Sequence, residues 1–133
     1  MLFRSNVSTS ASQRAIGSLG NEGAIVNSML FNHTSEFGYY GAFGFSEGEA
    51  FKLPAAADLT ADQIAALKKA SILLGGGYED PHHWYHESEI ALLTSVGVAV
   101  HPDFVLSGHD WYSWRINAKD FLTRVAFFPP PAG

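Results

Sequence analysis

Residues 60–77 run Thr60-Ala61-Asp62-Gln63-Ile64-Ala65-Ala66-Leu67-Lys68-Lys69-Ala70-Ser71-Ile72-Leu73-Leu74-Gly75-Gly76-Gly77. Thr60 and Gln63 match a capping box, and Asp58 and Asp62 suit the positive end of a helix dipole. Ile64, Leu67, Ser71 and Leu74 then recur on one helical face, and three glycines follow as residues that tolerate positive φ. The spacing predicts a helix over about 60–74 with a glycine stop. The glycines do not read as a phosphate loop, because they follow a helix and lack the Lys-Ser/Thr that would reach phosphates.

Downstream, Asp80-Pro81 offers an N-cap and a first-turn proline, which predicts a second helix over about 81–96, ended by Gly97. Residues 98–100, 104–106, 111–117 and 121–128 are short β-rich runs between turn signals. Upstream, the apolar run 24–31, the turn Asn32-His33-Thr34-Ser35 and the alternating run 36–46 read as a β-hairpin. Strands, two helices and more strands predict an α+β fold with an antiparallel sheet, an N-terminal hairpin, two central helices and C-terminal strands. The polar, glycine-containing residues 1–23 read as an N-terminal arm, flexible or ordered by a partner, residues 24–128 as one domain, and 129–133, with Pro129-Pro130-Pro131, as a proline-rich tail.

Composition narrows the function classes. Charged residues make up 16% of the 133 residues, against roughly 25% in an average soluble protein, while ten Phe, five Tyr and three Trp crowd the chain. Low charge with aromatic excess points to apolar surface covered by another copy or another protein. No cysteine is present, which removes disulfides, thiolate nucleophiles and thiolate metal sites together. The net charge is -5 and the eight basic residues are dispersed, so nucleic acid is not an expected partner. No apolar run is long enough to span a bilayer and no signal segment opens the chain, so a soluble, not classically secreted protein of virion or cytoplasm is expected.

Five of the six histidines lie between 82 and 109, three of them in Asp80-Pro81-His82-His83-Trp84-Tyr85-His86-Glu87-Ser88-Glu89. On a helix, His82, His86 and Glu89 are four and three residues apart and share a sector. Two imidazoles and a carboxylate suit Zn or Mn with an open position for water, and His101, His109 or Asp110 would complete the shell. Against this, His83 stands where zinc hydrolases carry the glutamate general base, and a polar network satisfied within the core explains the same cluster.

Ser107, His109 and Asp110 supply the residue types of a nucleophilic triad. Adjacency in sequence is not the arrangement a triad needs, and no Gly-x-Ser-x-Gly elbow is present. Glu47 and Glu49 sit in a glycine-rich turn and read as solvated charges. If 111–117 is a strand, Trp111 and Arg115 face outward, and with Trp84 they are the candidate interface residues. No catalytic signature emerges, so the sequence favours a non-catalytic oligomeric assembly or binding protein that needs no cofactor, such as a small virion-type structural subunit. The alternatives are a metal-dependent hydrolase or lyase at the His/Glu cluster, and an acidic inhibitor or immunity-type protein.

Overall fold

Ser71–Gly77, the second half of the stretch quoted above, is a strand whose seven residues are all buried. This one segment changes the fold class. A computed structural model, describing residues 8–45 and 51–128, contains β1 (Ala15–Leu19), α1 (Gly23–Asn32), β2 (Tyr39–Phe43), α2 (Ala61–Lys69), β3 (Ser71–Gly77), α3 (Trp84–Ser95), β4 (His101–Val105) and α4 (Trp111–Asp120). A π-helical turn, Phe121–Val125, prolongs α4. The strands form one sheet in the order β1-β2-β3-β4, and every pair is parallel, with Gly17 opposite Gly41, Gly41 opposite Leu73 and Leu73 opposite His101. The architecture is α/β, and the expected antiparallel α+β sheet is not formed.

Each departure has a local cause. The capping box closes as expected: the Gln63 N–H donates to Thr60 Oγ1 (3.1 Å) and the Thr60 N–H to Gln63 Oε1 (2.9 Å). The helix nevertheless ends at Lys69, and Ala70 turns extended (φ -85°, ψ 147°). The residues that follow are apolar on both faces because parallel strands are covered on both sides, so they carry no alternation to set against the helical period. Gly75 and Gly77 are not caps. A Cβ on Gly75 would overlap the Asp103 carbonyl, and one on Gly77 the Ser107 carbonyl, so these glycines admit the close passage of neighbouring backbone.

The run 24–31, expected as the first hairpin strand, is α1, which buries Val26, Asn27, Leu30 and Phe31 at helical spacing. Residues 111–117, expected as a strand, are α4. Asp110 caps it by accepting from the Ser113 N–H (2.9 Å), and Ser113, Asn117 and Asp120 form its buried stripe. The second expected helix is present as α3, one turn shorter at its start. Ala15–Leu19, inside the stretch read as an arm, is the first strand of the sheet. The proline-rich tail 129–133, residues 1–7 and Glu47 and Glu49 lie outside the described residues.

Two cores flank the sheet. On one side α1, α2 and α3 bring Leu30, Leu67, Tyr85 and Leu93 onto Tyr40, Ile72 and Leu74. On the other, Phe121 and Val125 pack on Phe43 and Leu73. Because all four strands run the same way, their carboxyl ends open on one rim, the usual place for ligands in such sheets.

Candidate active site

Three chain segments meet on that rim, each a few residues beyond a strand. After β1, Gly20 adopts φ +57° and begins a single 3₁₀ turn, Gly20–Glu22, that leads into α1. After β3, a tight turn places Asp80, whose N–H donates to the Gly77 carbonyl (3.1 Å) and whose carboxyl group is 2% exposed. After β4, the loop 107–110 is tied to the β3 exit by a hydrogen bond from the Glu79 N–H to the Ser107 carbonyl (2.9 Å).

The loop is held rigid by Asp110. Its Oδ2 accepts from the Ser107 hydroxyl (2.7 Å) and the Gly108 N–H (3.1 Å), while its Oδ1 caps α4. These donors, the Ser107 hydroxyl first, pull its carboxyl pKa down to about 2. The Ser113 hydroxyl adds a bond to the Gly108 carbonyl (2.8 Å). Between these anchors stands His109.

His109 Nδ1 lies 2.7 Å from Asp80 Oδ2, and the other Asp80 oxygen accepts from the His82 N–H (2.9 Å). An ionised carboxylate only accepts, so the pair assigns the proton to Nδ1 and leaves Nε2 as a bare base. The imidazole edge also rests against Trp114 at 4.8 Å between ring centroids, which limits its rotation. His109 is 36% exposed and opens to solvent.

Nε2 faces Gly20. A Cβ built on Gly20 would lie 3.9 Å from it and 3.5 Å from two Trp114 ring atoms, so a Cβ fits there without overlap, on a backbone whose positive φ strains any residue but glycine. A strand, a turn residue at positive φ and a helix are the parts of a nucleophile elbow, and its side chain would sit within reach of the base. Yet the residue at the bend has no side chain. Set on the Gly-x-Ser-x-Gly pattern, the segment is Ser18-Leu19-Gly20-Asn21-Glu22, with glycine in the place of serine. Ser18 stands two residues earlier, inside β1, and its Oγ is buried with no hydrogen-bond partner among the described residues. Beside the elbow runs an apolar groove of about 480 Å³ lined by Ile16, Leu19, Ile25, Trp111 and Trp114, with Glu22.

Of the residues singled out in the sequence, His109 stands on this rim, Ser107 and Asp110 hold its loop and Trp111 lines the groove, while the others fall elsewhere. His82 is exposed, whereas His86 and Glu89 are buried on α3. His86 Nδ1 is 3.1 Å from Glu89 Oε2 and its Nε2 accepts from the Phe45 N–H (3.0 Å), so neither ring nitrogen has a lone pair left for a metal. Among the described residues no group of three His, Asp or Glu could hold a metal ion. His101 is on β4, and Ser107 and Asp110 bond to each other instead of to His109. Trp84, Trp111 and Arg115 are all exposed, the last over the Tyr112 ring at 5.9 Å. The sequence reading missed Gly20, which lay in the supposed arm, and the partnership of Asp80 with His109 across 29 residues.

No protein-family model matches the chain. No curated protein matches it either. Solved structures do. A ferulic acid esterase matches with a TM-score of 0.72 at 20% identity, over 90% of this chain and 54% of its own. An S-formylglutathione hydrolase from Staphylococcus aureus matches with a TM-score of 0.63 at 13% identity, over 86% of this chain and 52% of its own. The fold is therefore that of esterases, and the chain spans about half the length of these two. This finding overturns the expected structural or virion-type subunit, since the proteins of like fold are hydrolases, and it leaves the inhibitor reading without support. His86, held at both ring nitrogens, does not form a metal set with His82 and Glu89 among the described residues. No helix among the described residues is long and apolar enough to cross a membrane.

Proposed function

We propose that the chain carries an esterase-type acyl-hydrolysing site in which His109, oriented by Asp80, acts as general base on a water molecule above Gly20. The observation that carries this reading is the direction of His109 Nε2, 3.9 Å from the place of the missing elbow side chain. Water takes the role of the serine hydroxyl. Its oxygen attacks the ester carbonyl carbon while its proton passes to Nε2. The tetrahedral intermediate then collapses, the bond to the leaving oxygen breaks, and Nε2–H returns the proton to the departing alkoxide. The products are a carboxylic acid and an alcohol, with no covalent intermediate on the protein.

The groove beside Trp111 and Trp114 suits an apolar or aromatic acyl group. Without a serine the rate should be modest, because triad enzymes stripped of a member keep only about 10³–10⁴-fold over water. The test is hydrolysis of p-nitrophenyl acetate. The native protein should release p-nitrophenol without a burst. H109A should fall to the buffer background, whereas an H109A rate equal to native would refute the assignment.

A further inference from the structure

On the hydrolytic reading above, we infer that this site takes esters whose alcohol half carries a carboxylate, held by Arg115 in a second arm of the cleft along α4. A groove of about 580 Å³ is lined by Leu19, Trp111, Tyr112, Trp114, Arg115 and Ala118. It shares Leu19, Trp111 and Trp114 with the apolar groove beside the elbow and continues over α4 instead of α1. The shared wall is the reacting end. Leu19 immediately precedes Gly20, and Trp114 borders both the place of a Gly20 side chain and the His109 ring. An ester carbonyl bound there sends its two halves into the two arms.

The arms differ in charge. Glu22 is the one charged side chain of the first, and Arg115 of the second. An anionic group is therefore repelled from one and attracted to the other. The apolar acyl half belongs beside Ile16 and Ile25, and the anionic end to the alcohol half beside Arg115.

The guanidinium is available to hold it. Arg14 pairs with Glu36 (3.4 Å), and Lys119 and Arg124 face Asp120 (3.4 and 3.8 Å), whereas Arg115 has no acidic partner among the described residues. The positions one turn away on α4 are Trp111, Tyr112, Ala118 and Lys119, none of them acidic. Asp110, which caps the same helix, has both oxygens engaged by Ser107, Gly108 and Ser113. The guanidinium lies over the Tyr112 ring, 5.9 Å from its centroid and three residues back along α4, which aims it toward the rim. Its edge N–H groups can grip a carboxylate with two parallel hydrogen bonds. Trp111, 72% exposed, offers a face for the body of the alcohol.

The test compares o-nitrophenyl acetate carrying a para carboxylate with the same ester carrying a para carboxamide, so that the pair differs in one charge. Arg115 is exposed, and the expected effect is modest: the ratio of kcat/KM, anionic over neutral, should fall about two- to fivefold from native to R115A and further in R115E. The native ratio should also shrink with added salt. Turnover of both esters with one ratio in native, R115A and R115E would overturn the inference and leave the hydrolytic reading in place. Turnover of neither would contradict that reading instead. The two nitrophenol products, titrated into the protein and followed by the indole N–H signal of Trp111 in NMR spectra, probe Arg115 without turnover. The carboxylate should bind native protein more tightly than the carboxamide and lose that advantage in R115A, and equal binding of the two to native protein would overturn the inference whether or not the esters turn over.

Discussion

Of the three histidine–carboxylate pairs among the described residues, two have a buried acid, and only one of those two is placed for chemistry. His86 and Glu89 sit 1% and 0% exposed at 3.1 Å, with both imidazole nitrogens engaged, one by Glu89 and one by the Phe45 N–H. His109 and Asp80 are closer, at 2.7 Å, and asymmetric: the carboxylate is buried, the imidazole is part open, and Nε2 looks across the rim at Gly20. Pairing a histidine with an acid is thus common to a structural clamp and to a general base. What separates them is whether the second nitrogen is satisfied by the protein or left for something that arrives.

The comparison can be broken by deleting each histidine in turn. H109A should remove the protein-dependent hydrolysis while leaving the melting temperature near native, because its ring borders solvent. D80N should remove most of that rate, since an amide can donate to Nδ1 and promote the wrong tautomer. H86A should do the opposite. It strips Glu89 of a donor and leaves the Phe45 N–H unpaired in the core, which should cost about 2–5 kcal/mol of stability, with the hydrolytic rate per folded molecule retained. Denaturant unfolding and p-nitrophenyl acetate turnover on the same samples separate the two effects, and a large rate loss in folded H86A would merge the two pairs into one functional unit.

Smaller effects sharpen the account of the loop that carries His109. Asp110 has a folded pKa of about 2, below the usual 3.8, so its contribution to stability is present above pH 3.8 and lost as pH falls toward 2. D110N should therefore lower the melting temperature at neutral pH and converge with native in strong acid. Asp103 is shifted the other way, raised chiefly by desolvation despite a hydrogen bond from Asn117 (2.9 Å). Its contribution is full below the ordinary aspartate range and lost as pH rises through the raised folded value. D103N should raise the neutral-pH melting temperature slightly, and melting curves across pH check both signs.

Part of this arrangement was legible in the sequence. The Thr60–Gln63 box and the end of α3 follow from local chemistry that tertiary contacts do not override, whereas Asp80, expected as the N-cap of that helix, accepts from the His82 N–H in the turn before it and pairs with His109. β3 was hidden because a strand buried on both faces loses its alternation, and Ser71 and Leu74 happened to continue the helical spacing of Ile64 and Leu67. α1 and the strand 111–117 failed for the complementary reason: short apolar and aromatic runs suit either element until the sheet decides. The site was out of reach for a topological reason. Gly20, Asp80 and His109 converge only because three parallel strands end on one rim, and the pattern that would have marked the first of them lacks its serine.

The central claim is that His109 is a base aimed at an elbow position from which the side chain is missing. The most direct measurement restores that side chain: G20S, treated with a fluorophosphonate and analysed by intact-mass and peptide mass spectrometry, beside native protein, H109A and the G20S/H109A double variant. The account predicts one phosphonyl adduct on the peptide containing position 20 in G20S, strong suppression in G20S/H109A and none in native protein. Folded G20S that stays unlabelled, or labels equally with and without His109, would contradict it.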